Sequence, residues 1–510
     1  MVLKTLKALN AERESSVFDT VISQALVIDG SGKQGITQDV AIKGNKIAAI
    51  GDLSNCTAKN VINGQGLVLA PGFIDVHTHD DLEVVRNPEM MAKISQGVAT
   101  VVVGNCGISA SPYSLKNVLP DPINLLGQST EFQFADLASY ATKLSEQKPN
   151  VNVVALVGHT ALRAQVMDDL SQPASGKEIS KMSALLKLAL AQGAKGFSTG
   201  LAYKNAQAAP SDEVASLAKE LANFDAIYTT HLRTEFDGII GALDEAFSLG
   251  KKVNSPVVIS HLKCAGKQNW GRAKEVIAHV KKAQQSHEIA CDCYPYHASS
   301  STLDLKQVTD DFEIFITWSD AEPSMAGKTL ADIAKAWQLS LYDAAVKLMP
   351  AGAVYHGMNE KDVEDIVQFP SSMFGSDGLP CDPHPHPRLW GSFPRVLGHF
   401  TRDKKLLSIE QAVHKMTGLS ATNFKLLKRG FIKTGYFADL VLFDAENIQD
   451  QASFSQPFER SIGVKFLWVN GQLTYQEEQG AITDETSRAG LFLKHEHSVT
   501  SDFNEQTLEK

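Results

Sequence analysis

The chain has no apolar run of the roughly 18 residues that a bilayer-spanning helix needs. Its first residues scatter Lys4, Lys7, Glu12, Arg13 and Glu14 among apolar positions, so the continuous apolar core of a secretory signal is missing there. Positive charge is not in excess. Lys and Arg number 48 against 58 Asp and Glu, for a net charge of −10, which excludes the basic stripe of a nucleic-acid binder and gives no attraction to an anionic membrane. Cysteine is sparse: the six stand at 56, 106, 264, 291, 293 and 381, with no Cys-x-x-Cys pair. That excludes a disulfide-built fold and predicts free thiols in a reducing compartment, hence the cytoplasm. No tandem repeat is visible, which sets aside solenoids and propellers. What remains, at 43% hydrophobic and 21% charged residues, is the composition of an ordinary soluble globular protein. The oligomeric state has no signature in the sequence.

At 510 residues the chain exceeds one ordinary core. Residues 1–17 read as a charged tail. Residues 18–66 read as a small β unit of short strands, with a hairpin turn at Lys43-Gly44-Asn45-Lys46. From Phe73 the rhythm changes to strand, helix, strand. Eight strands are predicted, at Phe73–His79, Ala99–Cys106, Val151–His159, Ala194–Gly200, Ala226–Leu232, Pro256–Leu262, Glu288–Pro295 and Ser371–Asp377. Helical periodicity falls between them at Ala135–Glu146, Lys177–Ala191, Asp212–Asn223, Gly238–Leu249 and Arg272–Gln285. This alternation predicts an α/β fold, a (β/α)8 TIM-like barrel over 67–425. The stretch at about 297–370 is too long for a connection and reads as an inserted lid subdomain near the barrel mouth. β patterning returns after it, so 18–66 and 426–490 are expected to join into one small β-sandwich domain. Residues 491–510 read as a polar, loosely packed tail, and nothing near His495-Glu496-His497 supports a metal site.

The organising stretch is Pro71-Gly72-Phe73-Ile74-Asp75-Val76-His77-Thr78-His79-Asp80. Side chains alternate along a strand, so His77 and His79 at its end face the same way. Other strands end in groups that bind metal or move protons: Cys106, His231, His261 and Asp377. Singly, each has a plain explanation, since a buried Cys is often a small hydrophobe and a strand-end Asp often caps a helix. Together they occupy one end of a barrel, where such enzymes keep their sites. Thiolate and imidazole suit Zn²⁺, and a Cys106–His231–His261 site leaves one position open for water. His77 and His79 are placed to hold a second metal that shares Cys106. Asp377 is placed to take a proton from water and return it to a leaving nitrogen. Lys263, Tyr294, Tyr296 and Arg388 fit recognition of a carboxylate. His159 ends a strand and is either a support for a ligand or a helix cap. His384 and His386 lie in a proline-rich loop that reads as a rigid turn.

These motifs resemble the amidohydrolase superfamily and, within it, the D-aminoacylase family. The resembling segments are Pro-Gly-Phe-Ile-Asp-Val-His-Thr-His-Asp-Asp at 71–81, Gly-Val-Ala-Thr-Val-Val-Val-Gly-Asn-Cys-Gly at 97–107 and Gly-Phe-Ser-Thr-Gly-Leu-Ala-Tyr at 196–203. Ser-His-Leu-Lys at 260–263, Tyr-Pro-Tyr at 294–296, Gly-Ser-Asp-Gly at 375–378, Phe-Pro-Arg-Val-Leu-Gly at 393–398 and Ala-Asp-Leu-Val-Leu-Phe-Asp at 438–444 extend the match. Most two-metal amidohydrolases bridge their metals with a carboxylated lysine; here a cysteine takes that place. The resemblance implies a zinc amidase that splits N-acyl-D-amino acids into a carboxylate and a D-amino acid. It implies one tightly bound zinc on Cys106, His231 and His261, a weaker metal near His77 and His79, and Asp377 as the proton-transfer group. It places Lys263, Tyr294 and Arg388 around the substrate carboxylate, with Tyr203 and Ser300 nearby. The loop at 204–209, polar where proline and glycine are expected, and the proline-rich stretch at 382–387 depart from the pattern. A cyclic amidase of the dihydroorotase or hydantoinase type is the alternative within hydrolases, disfavoured by the missing bridging lysine. A non-catalytic binding protein on the same scaffold is the other, disfavoured because every ligand position is filled.

Overall fold

The computed structural model describes residues 17–114, 119–481 and 488–495. The N-terminal charged tail, apart from Val17, and the C-terminal residues from Glu496 onward lie outside them.

Eight parallel strands form the barrel, in chain order Phe73–Asp75, Val98–Val103, Asn152–Gly158, Gly196–Gly200, Ile227–His231, Val257–Ile259, Ile289–Cys293 and Ser372–Phe374. Each pairs with its sequence neighbour. Val98–Val103 is buried at every position, as expected of a parallel strand covered on both faces. Strands eight and one meet through Val76 N–H donating to the Phe374 carbonyl (3.4 Å), Asp377 N–H donating to the His77 carbonyl (2.7 Å) and a parallel bridge between Thr78 and Gly378. This seam sets Asp377 beside His77. The barrel interior is filled by Ile74, Val76, Val102, Val154, Leu156, Ile227, Val258, Ala290 and Met373.

The surrounding helices begin where capping chemistry starts them. Asp136 accepts from Ser139 N–H at the start of Leu137–Gln147, and Ser175 with Glu178 forms a reciprocal capping box on Gly176–Ala191. The periodic stretch at Asp212–Asn223 is helical only as Ser211–Ala218, then tightens into a 3₁₀ turn, Lys219–Phe224.

Both chain ends build one nine-stranded sheet, joined where Val68–Pro71 pairs antiparallel with Leu440–Phe443. The period-two pattern divides its burial. Leu69, Leu440 and Leu442 pack with Ile22, Val40, Ile42, Ile47 and Trp468 in a core of its own, while Val68, Ala70, Val441 and Phe443 face the barrel. The sheet curls until the outer strand Lys46–Gly51 returns to the C-terminal arm, with Lys46 bridging Phe437.

Within the expected insertion, Ser299–Thr302, Ile314–Ser319, Lys328–Thr329 and Ala351–Tyr355 form a four-stranded antiparallel sheet. Helices Leu330–Trp337 and Leu341–Leu348 close a separate core over it. Helix Glu360–Gln368 instead packs against Ala273–Gln284 and strand eight, as a barrel helix does.

The C-terminal tail requires a correction. Its described part is ordered against the N-terminal end of the barrel: Val153 N–H donates to the Leu491 carbonyl (2.9 Å) and Leu493 N–H to the Val153 carbonyl (2.8 Å). His495 is buried there, and its Nε2 bonds the Phe224 carbonyl (2.7 Å). Backbone bonding to the barrel holds this segment, which composition alone does not reveal.

Candidate metal centre and active site

The sequence-predicted ligands converge at the C-terminal end of the barrel, His231 as the last residue of its strand and the others just beyond theirs. Cys106 Sγ lies 3.2 Å from His77 Nε2 and 3.3 Å from His261 Nε2, and His261 Nε2 lies 3.0 Å from His231 Nδ1. His79 Nε2 is 3.1 Å from Asp377 Oδ1, which is also 3.4 Å from His77 Nε2. Two candidate ligand groups result, Cys106–His231–His261 and His77–His79–Cys106–Asp377, with the cysteine common to both.

The backbone bends to make this possible. Cys106, His261 and Asp377 all have positive φ, at 53°, 35° and 50°. Such conformations cost non-glycine residues of order 1–3 kcal/mol each and gather at functional sites. Asp81 steadies the Cys106 loop by accepting from Gly104 N–H (3.2 Å) and Ala110 N–H (3.1 Å). Gly200 lets the loop approach: a Cβ there would sit 2.1 Å from the Cys106 carbonyl oxygen.

A zinc ion fits this donor set. With bonds of about 2.3 Å to sulfur and about 2.0–2.1 Å to nitrogen, the edges of a tetrahedral shell are roughly 3.3–3.6 Å. The Cys106–His261 and His261–His231 separations are each a few tenths of an ångström shorter than the matching sulfur–nitrogen and nitrogen–nitrogen edges. Burial pushes the Cys106 thiol up, so a thiolate there calls for a cation beside it. Burial also holds His231 and His261 well below the usual imidazole range, keeping both rings neutral as ligands must be.

Around the ligands stand charged groups. Burial alone would raise Asp377, but the Arg388 guanidinium, then His77 and His79, outweigh it and hold the carboxyl well below its usual range. Arg388 Nη1 is 2.8 Å from Asp377 Oδ2, and its Nη2 donates to the Ser300 carbonyl at 3.1 Å, tying the inserted sheet to the proton-transfer candidate. Arg388 lies 4.7 Å and Lys263 Nζ 5.9 Å from the Tyr294 ring centre. The Tyr203 ring is 4.9 Å from that of His231. Tyr294 Oη and Ser300 Oγ are buried with no hydrogen-bond partner among the described residues, so both hydroxyls are free to bind a ligand.

Other candidates fall outside this group. His159 Nε2 bonds Glu213 (3.0 Å), which also pairs with Arg163, in a buried cluster that supports the neighbouring loops. His384 and His386 bond the Phe454 and Ala298 carbonyls (2.7 and 3.1 Å), as a rigid turn requires. Tyr296 packs edge-on against His386 and lies under Arg395. His495 sits at the opposite end of the barrel.

Two carboxylates escaped the sequence reading. Asp292 Oδ1 is 3.2 Å from His77 Nδ1 and accepts from His261 N–H at 2.8 Å. Glu235 Oε1 is 2.5 Å from Lys263 Nζ and 2.9 Å from His261 Nδ1. An acidic residue in the middle of the buried strand Ile289–Cys293 was a signal for Asp292. Glu235, in an irregular polar loop four residues after His231, gave none.

A barrel with these ligands at its rim and a small β domain built from both chain ends defines a class, and comparison with known proteins agrees. A sequence profile described as the Amidohydrolase family matches residues 60–335 and 370–475. The D-aminoacylase of Alcaligenes xylosoxydans xylosoxydans is 44% identical over 468 residues, covering 92% of this chain and 96% of that protein. The N-acyl-D-aspartate deacylase of the same organism is 44% identical, covering 90% and 93%. The crystal structure of N-acyl-D-glutamate deacylase from Bordetella bronchiseptica, complexed with zinc and a phosphonate inhibitor, is 41% identical, with a TM-score of 0.90 over 94% of this chain and 99% of that one. The chain belongs to the amidohydrolase family and, within it, to the D-aminoacylases.

Among the described residues no helix is long and apolar enough to cross a membrane.

Proposed function

We propose that the protein hydrolyses the amide bond of N-acyl-D-amino acids, releasing a carboxylate and a D-amino acid. The observation that carries this reading is the meeting of a Cys–His–His metal group, a carboxylate and an arginine within one buried site. Cys106, His231 and His261 would hold a tightly bound zinc, and His77 and His79 are placed for a weaker second metal beside Cys106. A zinc bound there would supply a Lewis acid, able to polarise the amide carbonyl and to lower the pKa of water from ~16 towards ~7.

The protein's own groups do the rest. Asp377, an ionised carboxylate beside His79, takes the proton of the attacking water and delivers it to the leaving nitrogen. Arg388, Lys263 and the free hydroxyls of Tyr294 and Ser300 bind the substrate carboxylate, and Tyr203 borders the acyl group beside His231. The strand Ser299–Thr302 is tied to the site through the bond from Arg388 to the Ser300 carbonyl. Fixing the carboxylate and the carbonyl at two separate points leaves the hand of the α-carbon to a third contact, a pocket wall that admits the side chain on one side only. All six cysteines are free, which supports a cytoplasmic location.

Initial rates of amine release from paired N-acetyl-D- and N-acetyl-L-amino acids, with zinc-loaded protein, test the reading. A D-form preferred by at least tenfold supports it. Equal rates on both hands, or no turnover of any D-form across acidic, neutral and aromatic side chains, would overturn it.

A further inference from the structure

His261 Nδ1 faces two groups that pull its proton in opposite directions. Lys263 Nζ lies 2.9 Å away, and an ammonium can only donate. Were Lys263 the sole neighbour, Nδ1 would accept, and the ring proton would move to Nε2. Nε2 is the atom that faces Cys106 and His231, at 3.3 and 3.0 Å, so that tautomer would point a hydrogen at the metal position. Glu235 Oε1, also 2.9 Å from Nδ1, is an acceptor and reverses the preference. The same oxygen receives the ammonium at 2.5 Å, drawing the Lys263 hydrogen away from the ring. Glu235 Oε2 reaches the outer nitrogen of His231 at 3.9 Å, so one carboxylate stands behind both histidines. The trio is buried, where a misdirected proton has no water to relieve it.

We infer that Glu235 is a positioning residue that fixes His261 as the Nδ1–H tautomer against the opposing hydrogen of Lys263, and so joins the metal group to the carboxylate-binding lysine. It touches neither the metal position nor the reacting atoms. Its effect is to leave the Nε2 lone pair of His261 aimed between Cys106 and His231, and to set the ammonium of Lys263 at a fixed place on the pocket wall. The sequence keeps the three on two loops, His-Leu-Arg-Thr-Glu at 231–235 and His-Leu-Lys at 261–263, so strands five and six are coordinated through this carboxylate.

The inference rests on the zinc reading above, and zinc affinity of the metal-free full-length protein tests the two separately. A chelating dye of known affinity competes for zinc with the wild type, Glu235→Leu, Lys263→Met and the double variant. Removing an outer partner of a metal-binding histidine typically weakens affinity 10–100-fold, and that loss is expected for Glu235→Leu. The double variant is expected to return to within about threefold of wild type, because the opposing donor has gone as well. A merely structural role would give no such rescue. Wild-type affinity in Glu235→Leu, or a double variant as weak as Glu235→Leu, would overturn the inference. Should Glu235→Leu fail to fold by circular dichroism, Lys263→Met decides: unchanged or tighter zinc supports the inference, and a tenfold loss overturns it. Failure of the wild type to bind zinc would instead strike at the zinc reading.

Discussion

Replacing Asp377 with asparagine separates proton transfer from substrate and metal binding. The side chain keeps its volume and loses its charge. In the structure Oδ1 meets His79 at 3.1 Å, and Oδ2 meets Arg388 at 2.8 Å. A positioned general base contributes about 10²–10⁴ in rate, so kcat should fall by that factor, equivalent to roughly 3–5 kcal/mol of barrier. Zinc on Cys106, His231 and His261 should remain, because Asp377 is not in that group. KM should not rise. Arg388 is released from its ion pair while keeping the Ser300 carbonyl at 3.1 Å, and is then freer to meet the substrate carboxylate. Steady-state kinetics on the best N-acetyl-D-amino acid, with metal analysis of the same sample, read all three quantities. A zinc-loaded variant with kcat within threefold of wild type would refute the reasoning.

Three further outcomes follow from the geometry. Chelation of zinc should abolish turnover and lower the melting temperature, and added zinc should restore both; ligand linkage makes the stabilisation about 4 kcal/mol when free zinc is 1,000 times Kd. Gly375→Ala should lose activity and stability together, since the new Cβ would lie 2.3 Å from His77 Cβ and force that histidine to move, as zinc titration and thermal melts would register. Glu213 should give an acid-sensitive increment of stability. Burial alone would raise this carboxyl, but its bonds to His159, Ala174 and Arg163 outweigh that and bring it down to about 2. A depressed folded-state value means the increment, about 3 kcal/mol, is complete above pH ~4.5 and is lost as pH falls towards 2. Denaturant melts across that range should show a shallower acid loss in Glu213→Gln.

How much of this was legible depended on how each feature is encoded. His77, His79 and Cys106 stand at the ends of strongly β-patterned segments, so periodicity and type located them together. Regular pairing nevertheless stops at Asp75, short of the predicted strand, and the Thr78–Gly378 bridge continues the extended course to the second histidine. Asp377 was legible as a strand-end acid, but its ion pair with Arg388 needs a chain reversal that no local pattern announces. The inserted sheet was illegible beyond its two helices, because Ser299–Thr302 finds its partner in Ala351–Tyr355, half a hundred residues on. Glu235 and Asp292 act only through neighbours contributed by other strands. Their roles are properties of the assembled rim, with no counterpart in local spacing.

The claim on which the rest depends is that a cysteine and two histidines from separate strands share one zinc ion. X-ray absorption at the zinc edge of the active, singly loaded protein reads that shell directly. One sulfur at about 2.3 Å with nitrogen or oxygen neighbours at about 2.0–2.1 Å is the predicted result. A shell of nitrogen and oxygen alone, in protein that turns over substrate, would contradict it.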